Sequence, residues 1–386
     1  MSLDEFFEHT PYELARDEKQ KLLCARLHEL VKHHQEKCPE YQRIIEKLGD
    51  FEDDFGLYLG DKKLGRDIDP YDPESTEEAV FLPVGLFKKL DLKSVPDDEV
   101  FKTMTSSGTT GQQVSKIYLD RETVKSQQKV LVEIVKDFTG SERMPMIILD
   151  CPSVVKDRAK FSARGAGILG FSMFGTKKIY AFDDDMNLDL QGIREFVEQH
   201  KDKTIFMFGF TYMIWEYFYK ELAKAEKPTL LDLSNAVLIH GGGWKKLINE
   251  AVSKDEFKNS LNAVCGIKRE NIHDYYGMVE QTGCIYMECE CGHMHASIYS
   301  DVITRRMKDF SVCDFGEEGV IEVISALPES YPGHAILTED VGTILGEDDC
   351  PCGRKGKYFE IHGRMAKAEV RGCSDTFTRP AAVPTK

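Results

Sequence analysis

Apolar residues recur at helical spacing from position 19 to 48: Leu22, Leu23, Leu27, Leu30 and Val31, then Ile44, Ile45 and Leu48 after Pro39, which opens a second helix. Residues 50–80 are acidic, carry Pro70 and Pro73, and read as a long connection. Order resumes at 82–88 (Leu-Pro-Val-Gly-Leu-Phe-Lys). Apolar runs at 146–150, 204–208 and 236–239 are short enough for buried strands, and 116–119 fits a further strand. Amphipathic helices are expected at 121–138 and 212–225. Strands alternating with helices predict an α/β fold with parallel pairing. Beyond 315 the pattern becomes short strands separated by turns, at 319–324, 335–338 and 342–345, which predicts a small β subdomain. The expected organisation is an N-terminal helical region and linker (1–79), an α/β core (80–315), the β subdomain (316–362) and a tail (363–386). No internal repeat or low-complexity tract interrupts it.

Composition narrows the class. A chain of 386 residues is long for one core, so a multi-lobed arrangement is expected. With 41% hydrophobic and 30% charged residues it reads as a soluble globular protein. A formal net charge of -16 disfavours non-specific binding to nucleic acid or anionic membranes. No apolar run approaches the ~18 residues of a membrane span, and the acidic start, Met1-Ser2-Leu3-Asp4-Glu5, lacks a signal core, so a cytoplasmic location is expected. Eleven unevenly spaced cysteines favour reduced thiols, metal ligands or a reactive thiol over a disulfide framework.

Several motifs carry candidate chemistry. Thr105-Ser106-Ser107-Gly108-Thr109-Thr110-Gly111 could wrap N–H groups and hydroxyls around phosphate oxygens. Gly165-Ala166-Gly167-Ile168-Leu169-Gly170 matches G-x-G-x-x-G, but no strand directly precedes it and no acidic ribose partner follows, so a helix packing face is the better reading. His240-Gly241-Gly242-Gly243 imitates a lipase oxyanion loop without the required G-x-S-x-G elbow. A ligand-contacting turn at a strand's carboxyl end remains open for it. Asp274-Tyr275-Tyr276-Gly277-Met278-Val279-Glu280 offers aromatic faces for a base and a carboxylate for Mg²⁺. Cys289-Glu290-Cys291-Gly292-His293-Met294-His295 and Cys350-Pro351-Cys352-Gly353 together suit tetrahedral Zn²⁺.

In their order, the loop at 106–111, the glycine turn at 241–243, Tyr276 to Glu280, Thr338-Glu339-Asp340 and Gly363-Arg364 resemble the adenylate-forming superfamily of acyl- and aryl-CoA ligases. The resemblance spans about residues 80–373. It implies that Ser106, Ser107, Gly108, Thr109, Thr110 and Gly111 bind the ATP phosphates. Gly241, Gly242, Gly243, Tyr275, Tyr276 and Gly277 would border the adenine, Glu280 would serve Mg²⁺, Asp340 would hold the ribose hydroxyls, and Arg364 would lie near the ribose at a hinge. Gln113 and Val114 stand where the superfamily usually has Pro and Lys, with Lys116 displaced. Only about twenty residues follow Arg364, too few for the closing domain of an ordinary CoA ligase.

One branch is similar in this truncated end, the LuxE-type acyl-protein synthetases. The segments 82–88, Phe208-Gly209-Phe210-Thr211 and Arg371-Gly372-Cys373 resemble it. The resemblance implies that Cys373 takes the acyl group from the acyl-adenylate as a thioester and passes it to a partner reductase. Arg371 would lower the thiol pKa and Glu369 would oppose this. Phenylacetate-ligase-like relatives carry a comparable Cys/His arrangement. By that spacing the zinc ligands are Cys289, His295, Cys350 and Cys352, with Cys291 and His293 as alternates. Of Phe206, Phe208, Phe210, Tyr212 and Trp215, most read as core and one or two as lining for an acyl pocket.

The expected activity is therefore ATP-dependent activation of a carboxylic, fatty-type acid and transfer to a cysteine. The expected partner is an acyl-protein reductase or acyl carrier. Two alternatives stay open: a CoA ligase of phenylacetate-ligase type, and a catalytically weak nucleotide-binding partner subunit.

Overall fold

The computed structural model describes residues 3–50, 58–59, 62–63, 75–106, 113–156, 163–224 and 231–365. Its strands begin with the small pair β1 (Tyr58–Leu59) and β2 (Lys62–Lys63), then β3 (Leu82–Pro83) and the antiparallel pair β4 (Lys102–Thr105) and β5 (Lys116–Leu119). The next five are β6 (Met144–Leu149), β7 (Gly175–Tyr180), β8 (Ile205–Phe210), β9 (Ala236–Gly241) and β10 (Ile272–Tyr276). They lie side by side in the order β7-β6-β8-β9-β10, all parallel. β6, β8 and β9 are buried along their whole length, because helices cover both faces of such a block and leave no position for a polar alternation.

The sheet then changes character. β11 (Tyr286–Glu288), β12 (Met294–His295), β13 (Ser300–Arg305), β14 (Glu318–Ser325), β15 (Ala335–Glu347) and β16 (Lys357–Arg364) continue it antiparallel in the order β10-β11-β12-β16-β15-β14-β13. β3 adds in parallel to β15, which makes twelve strands in one sheet. The short strands expected after 315 are thus hydrogen-bonded to the parallel block through β12 and β11, and the antiparallel part begins earlier, at Tyr286. The two short strands expected at 335–338 and 342–345 are one strand of thirteen residues. Its register shifts between Val341 and Gly342, where a Cβ on Gly342 would strike the Glu360 carbonyl, so the apparent break in the sequence is a bulge, not a turn.

Helix starts follow local chemistry. Asp120 accepts from the Thr123 N–H at 2.8 Å and opens Arg121–Thr139, and Ser253 accepts from Glu256 N–H at 3.1 Å and opens Lys254–Cys265. The glycine-rich run at 165–170 lies inside the helix Ala163–Phe171. A Cβ on Gly167 would come 3.2 Å from the Phe210 ring, so its small residues allow close packing on the sheet and do not form a dinucleotide loop. The helix expected from 212 starts at Thr211 and passes through a π-helical stretch, Ile214–Tyr219.

The N-terminal helix Arg16–Lys37 is tied to the antiparallel lobe by buried charge. Lys19 and Lys357 reach Asp301 at 3.3 and 3.1 Å, and Gln20 donates to it at 2.8 Å. Burial alone would raise the Asp301 carboxyl, but the two lysines hold it down at about 2. Further along, His34 stacks on His334 with ring centroids 5.1 Å apart, and both are buried. Burial holds His34 well below the usual histidine range and His334 down at about 3; burial likewise lowers His240 to about 3. In the unfolded chain these rings titrate near 6.5, so unfolding takes up about one proton each once the pH drops below that value. The stability they confer is complete above pH 6.5 and is lost as the pH falls towards their folded values. Together the three should make unfolding about 4 kcal/mol easier at pH 5.5 than at pH 7.5. Urea melts at the two pH values check this; equal midpoints would contradict it.

Candidate functional site

The carboxyl ends of β8, β9 and β10 meet at one edge of the parallel block, where open α/β sheets bind ligands. Gly241 ends β9 and pairs with Tyr275 on β10. A Cβ there would lie 2.6 Å from the Tyr275 ring, so only glycine fits. Gly242 and Gly243 follow with φ of 81° and 63°, which turns the backbone away from the sheet and exposes its polar groups to the edge. Next along β10, the Tyr276 hydroxyl donates to Asp340 at 2.7 Å. Burial, then Asp340, raises the Tyr276 phenol, which keeps it a donor. Asp340 on β15 faces Arg364 on β16 in register, with Arg364 Nε 3.4 Å from its carboxylate. Gly277 leads out of β10 into the short turn Val279–Gln281, which carries Glu280, 3% exposed. Tyr276 at the end of β10, Asp340 within β15 and Arg364 at the end of β16, remote in sequence, are thus joined.

On the hairpin beyond, Ser106 N–H donates to Ser115 carbonyl at 3.1 Å and Ser115 N–H donates to the Ser106 hydroxyl at 2.9 Å, closing the neck of the Ser/Thr/Gly loop. Ser107, Gly108, Thr109, Thr110 and Gly111 lie outside the described residues, as does Cys373.

Beside the glycine turn is a small cavity of about 50 Å³, open to solvent, with Trp244 and Phe257 on its walls and His240, Asp274 and Glu288 among its polar groups. Thr211 gives its proton to the Gly241 carbonyl (3.2 Å), which leaves its oxygen to accept from His240 Nδ1–H (3.0 Å). Glu288 is clamped by Lys254 at 3.1 Å and Lys258 at 2.8 Å; burial opposes its charge, but the lysines hold it down at about 2. Burial, then the nearby Glu288 charge, raises the Asp274 carboxyl; the 27% of its side-chain surface still open to water tempers the rise. Lys258 and Glu288 were not singled out from sequence, and Thr211 only as the last residue of Phe208-Gly209-Phe210-Thr211. Asp274 at the head of Asp-Tyr-Tyr-Gly and His240 ahead of the glycines were the available signals; Glu288 and Lys258 had none.

The aromatic run divides between the two faces of the sheet. Phe208 stacks on Phe171 with centroids 4.1 Å apart and meets Phe210 edge-on, while Phe206 meets Phe174. Trp215 packs on the other face with Tyr219, Trp244 and Phe257. Tyr212 is partly buried against the same core.

A second constellation lies where the β11–β12 and β15–β16 turns meet. One donor atom each from Cys289, His295, Cys350 and Cys352 lies within 4.8 Å of the others. Cys289 and Cys350 sulfurs are 4.0 Å apart, and Cys352 Sγ is 3.4 Å from His295 Nε2. A tetrahedral ion with Zn–S of about 2.3 Å and Zn–N of about 2.0 Å requires separations of about 3.5–3.8 Å, so the donor set fits Zn²⁺. Both turns have one design: Gly292 N–H donates to Cys289 carbonyl and Gly353 N–H to Cys350 carbonyl, each at 2.9 Å, with φ of 86° and 85°. Cys291 is exposed; His293 Nδ1 lies 3.4 Å from Cys350 Sγ. Burial pushes the Cys289 thiol up to about 11, so only a bound cation would keep it ionised at neutral pH. Arg354 braces the site, donating to Glu290 and Asp137 at 2.8 Å each and lying over the Phe138 ring.

Comparison with known proteins agrees with this geometry. The family model described as acyl-protein synthetase, LuxE, matches residues 2–381. A long-chain-fatty-acid–luciferin-component ligase of Vibrio harveyi is 23% identical over 381 residues, covering 96% of this chain and 91% of that protein. Among solved structures, 2-hydroxyisobutyryl-CoA ligase in its postadenylation state with 2-HIB-AMP superposes with a TM-score of 0.65 at 15% identity, covering 92% of this chain and 69% of the other. Its open conformation gives 0.64 at 13% identity, covering 92% and 72%. These likenesses show the adenylate-forming fold. Among the described residues no helix is long and apolar enough to cross a membrane.

Proposed function

The chain belongs to the LuxE family of acyl-protein synthetases, adenylate-forming ligases, and from that premise we propose that it activates a fatty-type carboxylic acid with ATP and transfers the acyl group to Cys373. The observation that carries the nucleotide part is the join of Tyr276, Asp340 and Arg364 at the edge of the glycine turn. The base would lie against the glycine turn at 241–243 and Tyr276, the ribose hydroxyls would bond Asp340, and the triphosphate would lie by the loop whose neck Ser106 and Ser115 close. Glu280 would hold the Mg²⁺ that offsets phosphate charge. A carboxylate oxygen then attacks the α-phosphorus, the bond to the bridging oxygen breaks, and pyrophosphate leaves. In the second step the Cys373 thiolate attacks the acyl carbon of the adenylate, the acyl–oxygen bond breaks, and AMP leaves. The thioester would pass to a partner, an acyl-protein reductase or an acyl carrier. Cys289, His295, Cys350 and Cys352 would hold a structural Zn²⁺.

Carboxylate-dependent ATP–pyrophosphate exchange, run across long-chain, short-chain and aromatic acids, tests the reading. Exchange should be strongest with long-chain acids; none with any acid would overturn it. Asp340→Ala should raise the KM for ATP about 10- to 100-fold, the worth of a lost charge-assisted hydrogen bond, and leave the KM for the acid near wild type.

A further inference from the structure

The segment 326–334, between β14 and β15, touches three parts of the molecule at once. Towards the site, the buried Tyr331 hydroxyl donates to the Glu280 main-chain carbonyl at 2.9 Å. The Gln281 side-chain amide donates to the Gly333 carbonyl at 2.9 Å and to Val323 at 3.0 Å. A Cβ on Gly333 would meet the Tyr331 ring and stand 2.9 Å from the Glu280 carbonyl, so the two segments touch as closely as backbone allows. Towards the β4–β5 hairpin, the Ser330 hydroxyl donates to Tyr118 carbonyl at 2.9 Å, and Ser94 N–H donates to Ser330 carbonyl at 2.8 Å. From behind, the N-terminal helix grips the same segment. Arg26 Nε donates to Ala326 carbonyl at 3.0 Å, His34 Nε2 to Pro328 carbonyl at 2.9 Å and His33 Nε2 to Glu329 carbonyl at 3.0 Å.

Glu280 sits on a single 3₁₀ turn whose own closing bond, Gln281 N–H to Met278 carbonyl, is 3.2 Å long. Such a turn does not fix a side chain by itself. Its place is set by Tyr331 and Gly333. The strand β5, which carries one end of the phosphate loop, is held by Ser330, the very next residue. We propose that Tyr331 is a positioning residue for Glu280, and that residues 330–333 tie the Glu280 turn to β5. This inference rests on the reading of Glu280 and of the 105–111 loop given above.

The test measures ATP affinity of the full chain by titration calorimetry, once with Mg²⁺ and once in EDTA. Tyr331→Phe should leave metal-free ATP affinity within about twofold and cut the gain from Mg²⁺ about three- to tenfold, the worth of one hydrogen bond. Ser330→Ala acts on the other arm and should weaken ATP by a similar factor with or without Mg²⁺. Glu280→Gln should lose the Mg²⁺ gain altogether. If Glu280→Gln keeps that gain, the reading of Glu280 fails and the inference with it. If Glu280→Gln loses it but Tyr331→Phe keeps it, or Tyr331→Phe loses affinity equally with and without metal, the positioning inference alone is overturned. Ser330→Ala that loses only the Mg²⁺ gain overturns the two-armed assignment.

Discussion

Replacing Cys373 with alanine should leave carboxylate-dependent pyrophosphate exchange at its wild-type rate and reduce covalent acyl-protein to background, a loss of at least about 100-fold in labelling. On the proposed reading the two half-reactions separate because the first would draw on the nucleotide-binding groups and not on the thiol, whereas the second needs a nucleophile. A serine or amide would not replace it: the thiol reaches its anion near neutral pH, and a thiolate is intrinsically far more nucleophilic than a hydroxyl. Incubation with labelled acid and ATP, followed by intact mass measurement, reads the adduct directly. The pH profile supplies a second readout. Because the thiolate is the attacking species, thioester formation should fall as the pH drops from 8 to 6. Normal labelling of Cys373→Ala would move the acceptor elsewhere.

What the sequence made legible follows from how local each signal is. The parallel strands were readable because β6, β8 and β9 are buried on both faces and therefore appear as unbroken apolar runs. The two Cys/His clusters were visible in the sequence, but the choice of Cys289, His295, Cys350 and Cys352 over Cys291 and His293 came from the resemblance to phenylacetate-ligase-like relatives; the donor atoms of those four converge. β11 and β12 escaped notice: at three and two residues they are too short for any period to show, and their pairing is decided by partners far along the chain. β15 was divided at Asp340 because the polar run Thr338-Glu339-Asp340 interrupts its apolar pattern; it is a strand there because β14 and β16 pair with it on either side. The Asp301 charge cluster and the Tyr331 contact join residues 51 to 282 positions apart, and no local pattern announces such meetings.

Removing the metal should produce the largest change in stability. The donor atoms of Cys289, His295, Cys350 and Cys352 bring two turns together, and a structural Zn²⁺ contributes folding free energy directly. Cys350→Ser, or exhaustive chelation, should lower unfolding free energy by about 3–5 kcal/mol, comparable to breaking a buried charged network. Purified protein should carry close to one zinc per chain, and Cys350→Ser essentially none. Cys291→Ser should retain it, because that thiol is exposed and faces away from the converging donors. The functional consequence should be graded by distance along the ladder. The turn at Cys350–Gly353 closes the β15–β16 pair at Glu347 and Lys357, whereas the ribose pair Asp340–Arg364 lies at its opposite end. Loss of zinc should therefore lower the denaturation midpoint strongly while the KM for ATP, measured well below that midpoint, changes less than about threefold. Zinc below about half an equivalent in the wild-type protein, or a Cys350→Ser variant as stable as wild type, would remove the metal from this account and leave the four residues as a buried thiol–imidazole cluster.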